Sequence, residues 1–534
     1  MFFIQRAPDF WSGARCLFFA VFLLGCTGRE PADLRIVNGK EPESLDPAII
    51  VGQPDGRVVN TLFEGLTRYN ATNAAPEPGI AERWEISPNG LTYTFHLRTN
   101  ALWSTGERIT AQDVVYSWFR VIEPETASDY VGNLFYIRGA EAYSLGQTKD
   151  RDTVGIHALD QGALRVDLVN PTPFFLDLCA FPTQAIVHRG TIEKYGDRWL
   201  NARPLPCSGA YELVSWRLND RIRVKKNAHY WDSQPGQLNI VDFFPVNSPN
   251  TALNLYLQGE VDVVWDKDVT PSELLDVLKT RPDFHRFDYL AAYFLRFNTT
   301  RKPFDDLRVR KAFALALDRD RIVTFVTRGG EKPVHHFVPP GIPNYTSPPG
   351  LSRDPNLART LLAEAGYPNG RNFPRIQYHF NASRDNEKIA VQLQDTWKKE
   401  LGIEVDLRAV EWKIWINDQS TINYDISKSS WIGDYTDPNT FLDMFMSSNP
   451  NNRTGWKNAD YDNLVRTANA TVDIHARANL LQKAESLLIA QDVPIVPLYV
   501  YVGFNFFDPQ RITGIFDEGN IRDEHPVRSI RKTN

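Results

Sequence analysis

In WIGDYTDPNTF, residues 431–441, two carboxylates stand three positions apart among aromatic residues. Asp437 followed by Pro438 reads as a helix N-cap with proline at the first helical position, opening a helix through Phe441, Leu442 and Phe445. Asp434 has no such local use. It is either an ordinary loop carboxylate or a buried anion whose counter-cation arrives with a ligand. An unpaired ion in an apolar setting is penalised, so the second option implies a cationic ligand group. The aromatic residues Tyr130, Phe294, Trp412 and Trp431 pose a similar choice between core packing and the walls of a concave site.

Reactive constellations are missing from the sequence. There is no Gly-x-Ser-x-Gly elbow, no Gly-rich phosphate loop ending in Lys-Ser/Thr, no dinucleotide fingerprint and no His-Glu-x-x-His. His335-His336 is the one adjacent histidine pair, and without a third ligand it reads as a surface feature rather than a metal site. No carboxylate pair stands out as a glycosidase acid and nucleophile. A net charge of −6 without a basic run argues against a nucleic-acid partner. Neither a cofactor nor a metal is expected.

The elements that must position these residues begin after an export signal. Arg6 and Arg15 precede CLFFAVFLL (16–24), too short to span a bilayer and suited to a signal-peptide core. It ends in LLGC, which resembles a lipobox: residues 1–25 are removed and Cys26 carries lipid. In the oxidising compartment this implies, Cys179 and Cys207 form a disulfide or remain two buried thiols. At 534 residues the chain exceeds a single core.

Strand-like and helix-like segments alternate from Ala32, which implies mixed α/β domains. LRIVNG (34–39) is a strand. RWEI (83–86) and LTYTFHLR (91–98) flank Asn89-Gly90 as a hairpin. Thr110 and Asp113 make a capping box for a helix over 110–122. A helix over 252–259 stops at Gly259 before a strand. The spacing predicts one helix over 305–323, another from the Asp354 cap to Gly366, and a helix–glycine–strand unit over 387–412.

Seven segments in order carry a family resemblance: PGIAERWEISPNGLTYTFHLRTNALWSTGERITAQDVVYSW (78–118), SGAYELVSW (208–216), NAHYWD (227–232), GEVDVVWD (259–266), RFNTTRKPFDDLRVRKAFALALDR (296–319), TWKKELGIEVDL (396–407) and WIGDYTDPNTF (431–441). Together they closely resemble the extracellular solute-binding proteins of peptide ABC importers. The resemblance implies an α/β, two-lobed periplasmic-binding-protein-like fold with a hinge and an additional domain on the first lobe. Lobe I would comprise 34–63, 189–290 and 503–534, the additional domain 64–188 and lobe II 291–502, with crossings near Leu290 and Val502.

The resemblance also assigns a binding site. Asp434 would pair with the ligand's α-ammonium. Val51-Gly52-Gln53 and Ser430-Trp431-Ile432 would pair with the ligand backbone, strand to strand, so that affinity comes from main chain and specificity from side-chain pockets. Trp412, Trp431, Tyr130 and Phe294 fall on aromatic pocket positions, Phe294 in place of a tyrosine. Lys428 keeps a basic residue that meets ligand carboxylates, and Asn386 replaces a histidine. Arg296 replaces a pocket glutamate, which would favour acidic ligand groups. A family cysteine pair is absent at Ala291 and Ile432. The implied protein is a monomeric, lipid-anchored binder of short peptides at the periplasm or cell surface, serving an ABC permease. The alternatives are the same fold binding an oligosaccharide, metal complex or haem, and an exported hydrolase.

Overall fold

Turn and capping residues place most elements where the sequence puts them. Gly90, at φ +69°, closes the turn between antiparallel strands Ala81–Ile86 and Thr92–Leu97. The Thr110 N–H donates to the Asp113 carboxylate at 2.8 Å, starting the helix Ala111–Ile122. Helix Pro355–Glu364 takes its cap from Asp354, and Gly402, at φ +70°, ends helix Arg384–Leu401. The helix expected over 305–323 instead divides into Leu307–Leu315 and Arg319–Ile322. The Asp318 side chain accepts the Arg321 N–H at 2.9 Å, so it caps a new helix rather than continuing the old one.

The computed structural model describes residues 30–266, 269–516 and 518–533. The expected signal peptide and the lipid-bearing Cys26 lie outside the described residues. A mixed sheet forms the spine. Its strands are β1 (Leu34–Val37), β2 (Tyr211–Arg217), β3 (Arg221–Lys226), β4 (Ile240–Phe244), β5 (Val263–Trp265), β6 (Phe284–Phe297), β7 (Lys332–Pro333), β8 (Ile376–Asn381), β9 (Val405–Val410), β10 (Ile426–Ile432) and β11 (Ile495–Phe507). They run in the order β9-β8-β10-β6-β11-β5-β1-β4-β3-β2, with β7 beside β11.

Two long antiparallel strands, β6 and β11, traverse both halves. Phe284 to Asp288 pair with Val502 to Phe506, and Ala292 to Arg296 pair with Ile495 to Val500; the register shifts between Asp288 and Ala292. On one side of this break, a core gathers residues of β1 to β5 with Phe507 to Ile530. On the other, two clusters are built almost wholly from residues between Leu290 and Tyr499. A further core packs under a separate four-stranded sheet; it uses residues from Ala48 to Ile186 and one distant residue, Tyr435. The molecule is thus a two-lobed α/β fold carrying an additional layer of structure.

The disulfide alternative for Cys179 and Cys207 is corrected, because both are free, buried thiols. The two sit in different cores, and the Cys207 thiol donates to the Leu205 carbonyl at 3.4 Å. His335 and His336, half-buried, place their Nδ1 atoms 2.9 and 2.8 Å from the carbonyls of Leu351 and Val338.

Candidate binding site

Several of the residues singled out in the sequence lie on or near one half-open strand edge. β10 lies between β8 and β6 but pairs with β8 only at Ile426 and Ser427. Against β6 it pairs along its whole length, with Tyr293 opposite Ser430 and Ala291 opposite Ile432. The Gly433 N–H donates to the Leu290 carbonyl at 2.8 Å, which makes Leu290 and Gly433 a hydrogen-bonded pair. By alternation, the polar main-chain groups of Ser427, Ser429 and Trp431 point at β6, and those of Lys428, Ser430 and Ile432 point away. The Lys428 carbonyl is met by Gln419 Nε2 at 2.7 Å. Past that point, Ser430 and Ile432 present strand-like donors and acceptors with no neighbouring strand among the described residues.

Beyond the end of β10 the chain turns into the loop bearing Asp434. The Asp434 N–H donates to Thr440 Oγ1 at 3.2 Å, and its carbonyl accepts from Arg522 Nη2 at 2.8 Å. Its carboxylate has no hydrogen bond or ion pair on either oxygen among the described residues, whereas the nearby acids Asp437 and Asp443 each have a partner. Asp437 receives a bidentate fork from Arg477, both bonds 2.8 Å, and also accepts the Asn439 N–H at 2.9 Å. The helix Asn439–Leu442 takes Pro438 as its N-cap, one residue later than the sequence suggests, so Asp437 stands just before the cap and is ion-paired instead. Asp443 is met by the Tyr136 hydroxyl at 3.4 Å. Burial pushes the Asp434 carboxyl up from 3.8 to about 6, opposed by the field of Arg522. Burial, followed by the Asp434 charge, pushes Asp443 up to about 7.

Two other parts of the chain reach this loop. Burial, then the neighbouring Asp434 charge, raises the Tyr130 hydroxyl well above its ordinary range; Asp55 acts on it in the same sense. The Tyr130 ring lies 5.0 Å from that of Phe181. Asp55, buried at the first turn of helix Gln53–Leu62, accepts the N–H groups of Gly52 at 3.0 Å and Val51 at 3.4 Å, fixing that segment. Gln53 donates to the Tyr289 hydroxyl on β6, beside the register break. The structure thus brings the 51–53 segment, Tyr130 and Asp434 into one electrostatic neighbourhood.

At the other end of the exposed edge the groups are more enclosed. Lys428 is 5% exposed; its Nζ lies 4.8 Å from the Trp415 ring centroid and 3.5 Å from Ser430 Oγ. Asn386 is buried and donates to Asn381, while its Oδ1 accepts from Tyr293 at 3.5 Å. Trp412 opens a short helix, is 53% exposed, and lies 4.9 Å from Trp415. Trp431 is half-buried, and its indole N–H has no partner among the described residues. Ile432 is 41% exposed.

Two expected pocket residues sit elsewhere. Phe294, 0% exposed, packs against Phe337 and Phe445 in a lobe core. Arg296, 2% exposed, donates to Ser429 Oγ at 3.0 Å and to the carbonyls of Asn451 and Asn452, and burial pulls its guanidinium down to about 10. Both belong to alternate positions of β6 that face inward with Ser429 and Trp431, so their side chains do not reach open space. Sequence reasoning missed Asp55, Asp443, Asp177 and Arg522. Asp55 had a signal, the acid three residues after Gly52; the others act through contacts far along the chain.

The chain is similar to known proteins over most of its length. The family model of bacterial extracellular solute-binding proteins, family 5 Middle, matches residues 75–453. The periplasmic oligopeptide-binding protein OppA of Salmonella typhimurium is 36% identical over 486 residues, 88% of each chain. The dipeptide-binding protein DppE of Bacillus subtilis is 33% identical over 525 residues, 93% of this chain and 95% of its own. A crystal structure of a periplasmic oligopeptide-binding protein from Borrelia burgdorferi superposes with a TM-score of 0.80 at 35% identity, covering 94% of this chain and 99% of that one.

Proposed function

The chain belongs to the bacterial extracellular solute-binding proteins of family 5, and from that premise we propose that it captures short peptides for an ABC permease and performs no chemistry on them. One observation carries the reading: among the described residues, the Asp434 carboxylate has no ion-pair partner, at the end of an exposed strand edge. A peptide in extended form fits both features. Its main chain can pair with Ser430 and Ile432 as an added strand, and its α-ammonium, present on every free peptide, can pair with Asp434. Relatives named for oligopeptides and dipeptides support the ligand class.

Lobe closure supplies the enclosure that makes this ion pair strong. The register break between Asp288 and Ala292, opposite Val500 and Val502, is the natural place for a hinge, because it interrupts both strands that cross between lobes. An exposed Trp412 at the far end leaves room for varied ligand side chains. Anchoring through a lipidated Cys26 belongs to the same proposal: a Cys26→Ala protein is expected in the soluble fraction, and membrane retention of that variant would contradict the anchor.

Native mass spectrometry of protein purified from cells tests the ligand class. The expected result is a set of intact peptides of mixed sequence. A retained sugar, haem or metal complex contradicts peptide capture, and release of cleaved peptide fragments from an added peptide contradicts a purely binding role.

A further inference from the structure

The Asp434 loop is held from outside its own lobe by one buried ion pair. Asp177, next to the core of the four-stranded sheet, and Arg522, in the C-terminal segment, are both buried and paired with each other. Each then reaches the loop through a main-chain bond. Arg522 Nη2 donates to the Asp434 carbonyl at 2.8 Å, and the Thr436 N–H donates to Asp177 Oδ2 at 2.9 Å. The two bonds bracket Tyr435. Its ring stacks on Phe174 at 4.1 Å and 6°, and its hydroxyl lies 3.1 Å from that of Tyr136. Tyr435 is thereby counted in the core of residues 48–186, although its chain neighbours belong to the opposite lobe.

Building on the reading that Asp434 meets a ligand ammonium, we propose that Asp177 and Arg522 are positioning residues: a clamp across the lobes that fixes the main chain of residues 434–436 and so aims the Asp434 carboxylate. The charges of the clamp are satisfied by each other. Arg522 adds a bond to the Tyr69 hydroxyl at 3.0 Å, so the pair is stable without drawing on the Asp434 carboxylate. The donors and acceptors it takes from the loop are main-chain groups, which leaves the carboxylate itself for the ligand. Opening the lobes separates Asp177 and Arg522 from residues 434–436. The clamp therefore acts on the closed state: it slows ligand escape and leaves capture by the open state unchanged.

Breaking one partner of a buried pair risks unfolding, so the test replaces both. Exchange of a buried ion pair for apolar side chains is commonly neutral or stabilising, so D177L/R522M is expected to melt within a few degrees of the natural protein. A second variant, Arg522→Lys, keeps a charge opposite Asp177 and loses the planar fork that reaches the Asp434 carbonyl. Binding of trialanine and N-acetyltrialanine is followed by stopped flow and calorimetry. In both variants the clamp predicts trialanine dissociation faster by about tenfold, with association within about twofold. It also predicts that preference for the free amine over the acetylated form falls by about tenfold, a ratio that general loosening would leave unchanged. Folded variants with natural dissociation rates and undiminished preference overturn the clamp. A natural protein without preference for the free amine overturns the ammonium reading itself, and the two failures are thereby distinguished.

Discussion

The two ends of β10 are built on opposite principles. At the Arg296 end, charge is satisfied inside the protein: the guanidinium bonds to a hydroxyl and two carbonyls under a shell of Phe294 and Phe445. At the Asp434 end, the neighbouring acid Asp437 is saturated by Arg477 and Asp177 by Arg522, yet the Asp434 carboxylate has no ion-pair partner among the described residues. Internal cations were within reach and are committed elsewhere. The contrast separates a charge that the fold completes from one that it leaves open, and the proposed function assigns the open one to the ligand. On the proposed reading, recognition by charge is concentrated at one end, which would suit ligands alike in their N-terminus and different in the rest.

Replacing Asp434 should break the contrast most severely. Asp434→Asn is expected to weaken peptide binding by about 2–4 kcal/mol, the cost of leaving a desolvated cation without its partner. Calorimetry checks this. The same substitution should stabilise the ligand-free protein. Because the folded carboxyl titrates near 6 rather than 3.8, the folded chain holds this proton more tightly than the unfolded one. The resulting stabilisation is complete below about pH 4 and is lost as pH rises through 6, so at pH 7 the ionised carboxylate is a burden of about 3 kcal/mol. The Asn variant should therefore melt higher than the natural protein at pH 7 and lose that advantage at pH 4. A lower melting temperature at pH 7 would mean that Asp434 is a structural residue.

Acid should weaken binding for the same reason. A ligand cation favours the ionised form of Asp434 and Asp443, so affinity should fall as pH drops from 7 through 6, with proton release on binding near pH 6; flat affinity across this range would separate these acids from the ligand.

The opposite end predicts the reverse assignment of effects. Arg296→Met should cost about 2 kcal/mol of stability by leaving buried acceptors unpaired, while affinity for trialanine changes by less than about threefold. A large loss of affinity with unchanged melting would return Arg296 to the binding site. Smallest is Trp412→Ala, expected to change trialanine affinity by less than about fivefold and to act mainly on longer or bulkier peptides, since an exposed ring offers contact area rather than a fixed partner.

What could be seen in the sequence was what is decided locally. The Asp437-Pro438 start, the Asn89-Gly90 turn and the Thr110 capping box each depend on residues within a few positions. The family resemblance singled out Asp434 and residues 430–432 as a site, and the structure shows an unpaired stretch of strand there. The fate of the charges could not be read in this way. Arg477 reaches Asp437 across 40 positions, Arg522 reaches the Asp434 carbonyl across 88, and Arg522 reaches Asp177 across 345. The burial of Phe294 and Arg296 was hidden for a related reason. On a central strand both faces are covered, so alternation along β6 does not tell which face is a pocket and which is core. The cysteines likewise offered no sign that they serve separate cores.

The account rests on a pairing between one carboxylate and one ligand ammonium, and a double cycle isolates it. Trialanine and N-acetyltrialanine are each titrated into the natural protein and into Asp434→Asn at pH 7.5. The account predicts a coupling of about 2–4 kcal/mol between acetylation and the substitution, with the natural protein strongly preferring the free amine and the variant nearly indifferent. Effects that simply add, with a coupling below about 0.5 kcal/mol, would contradict it.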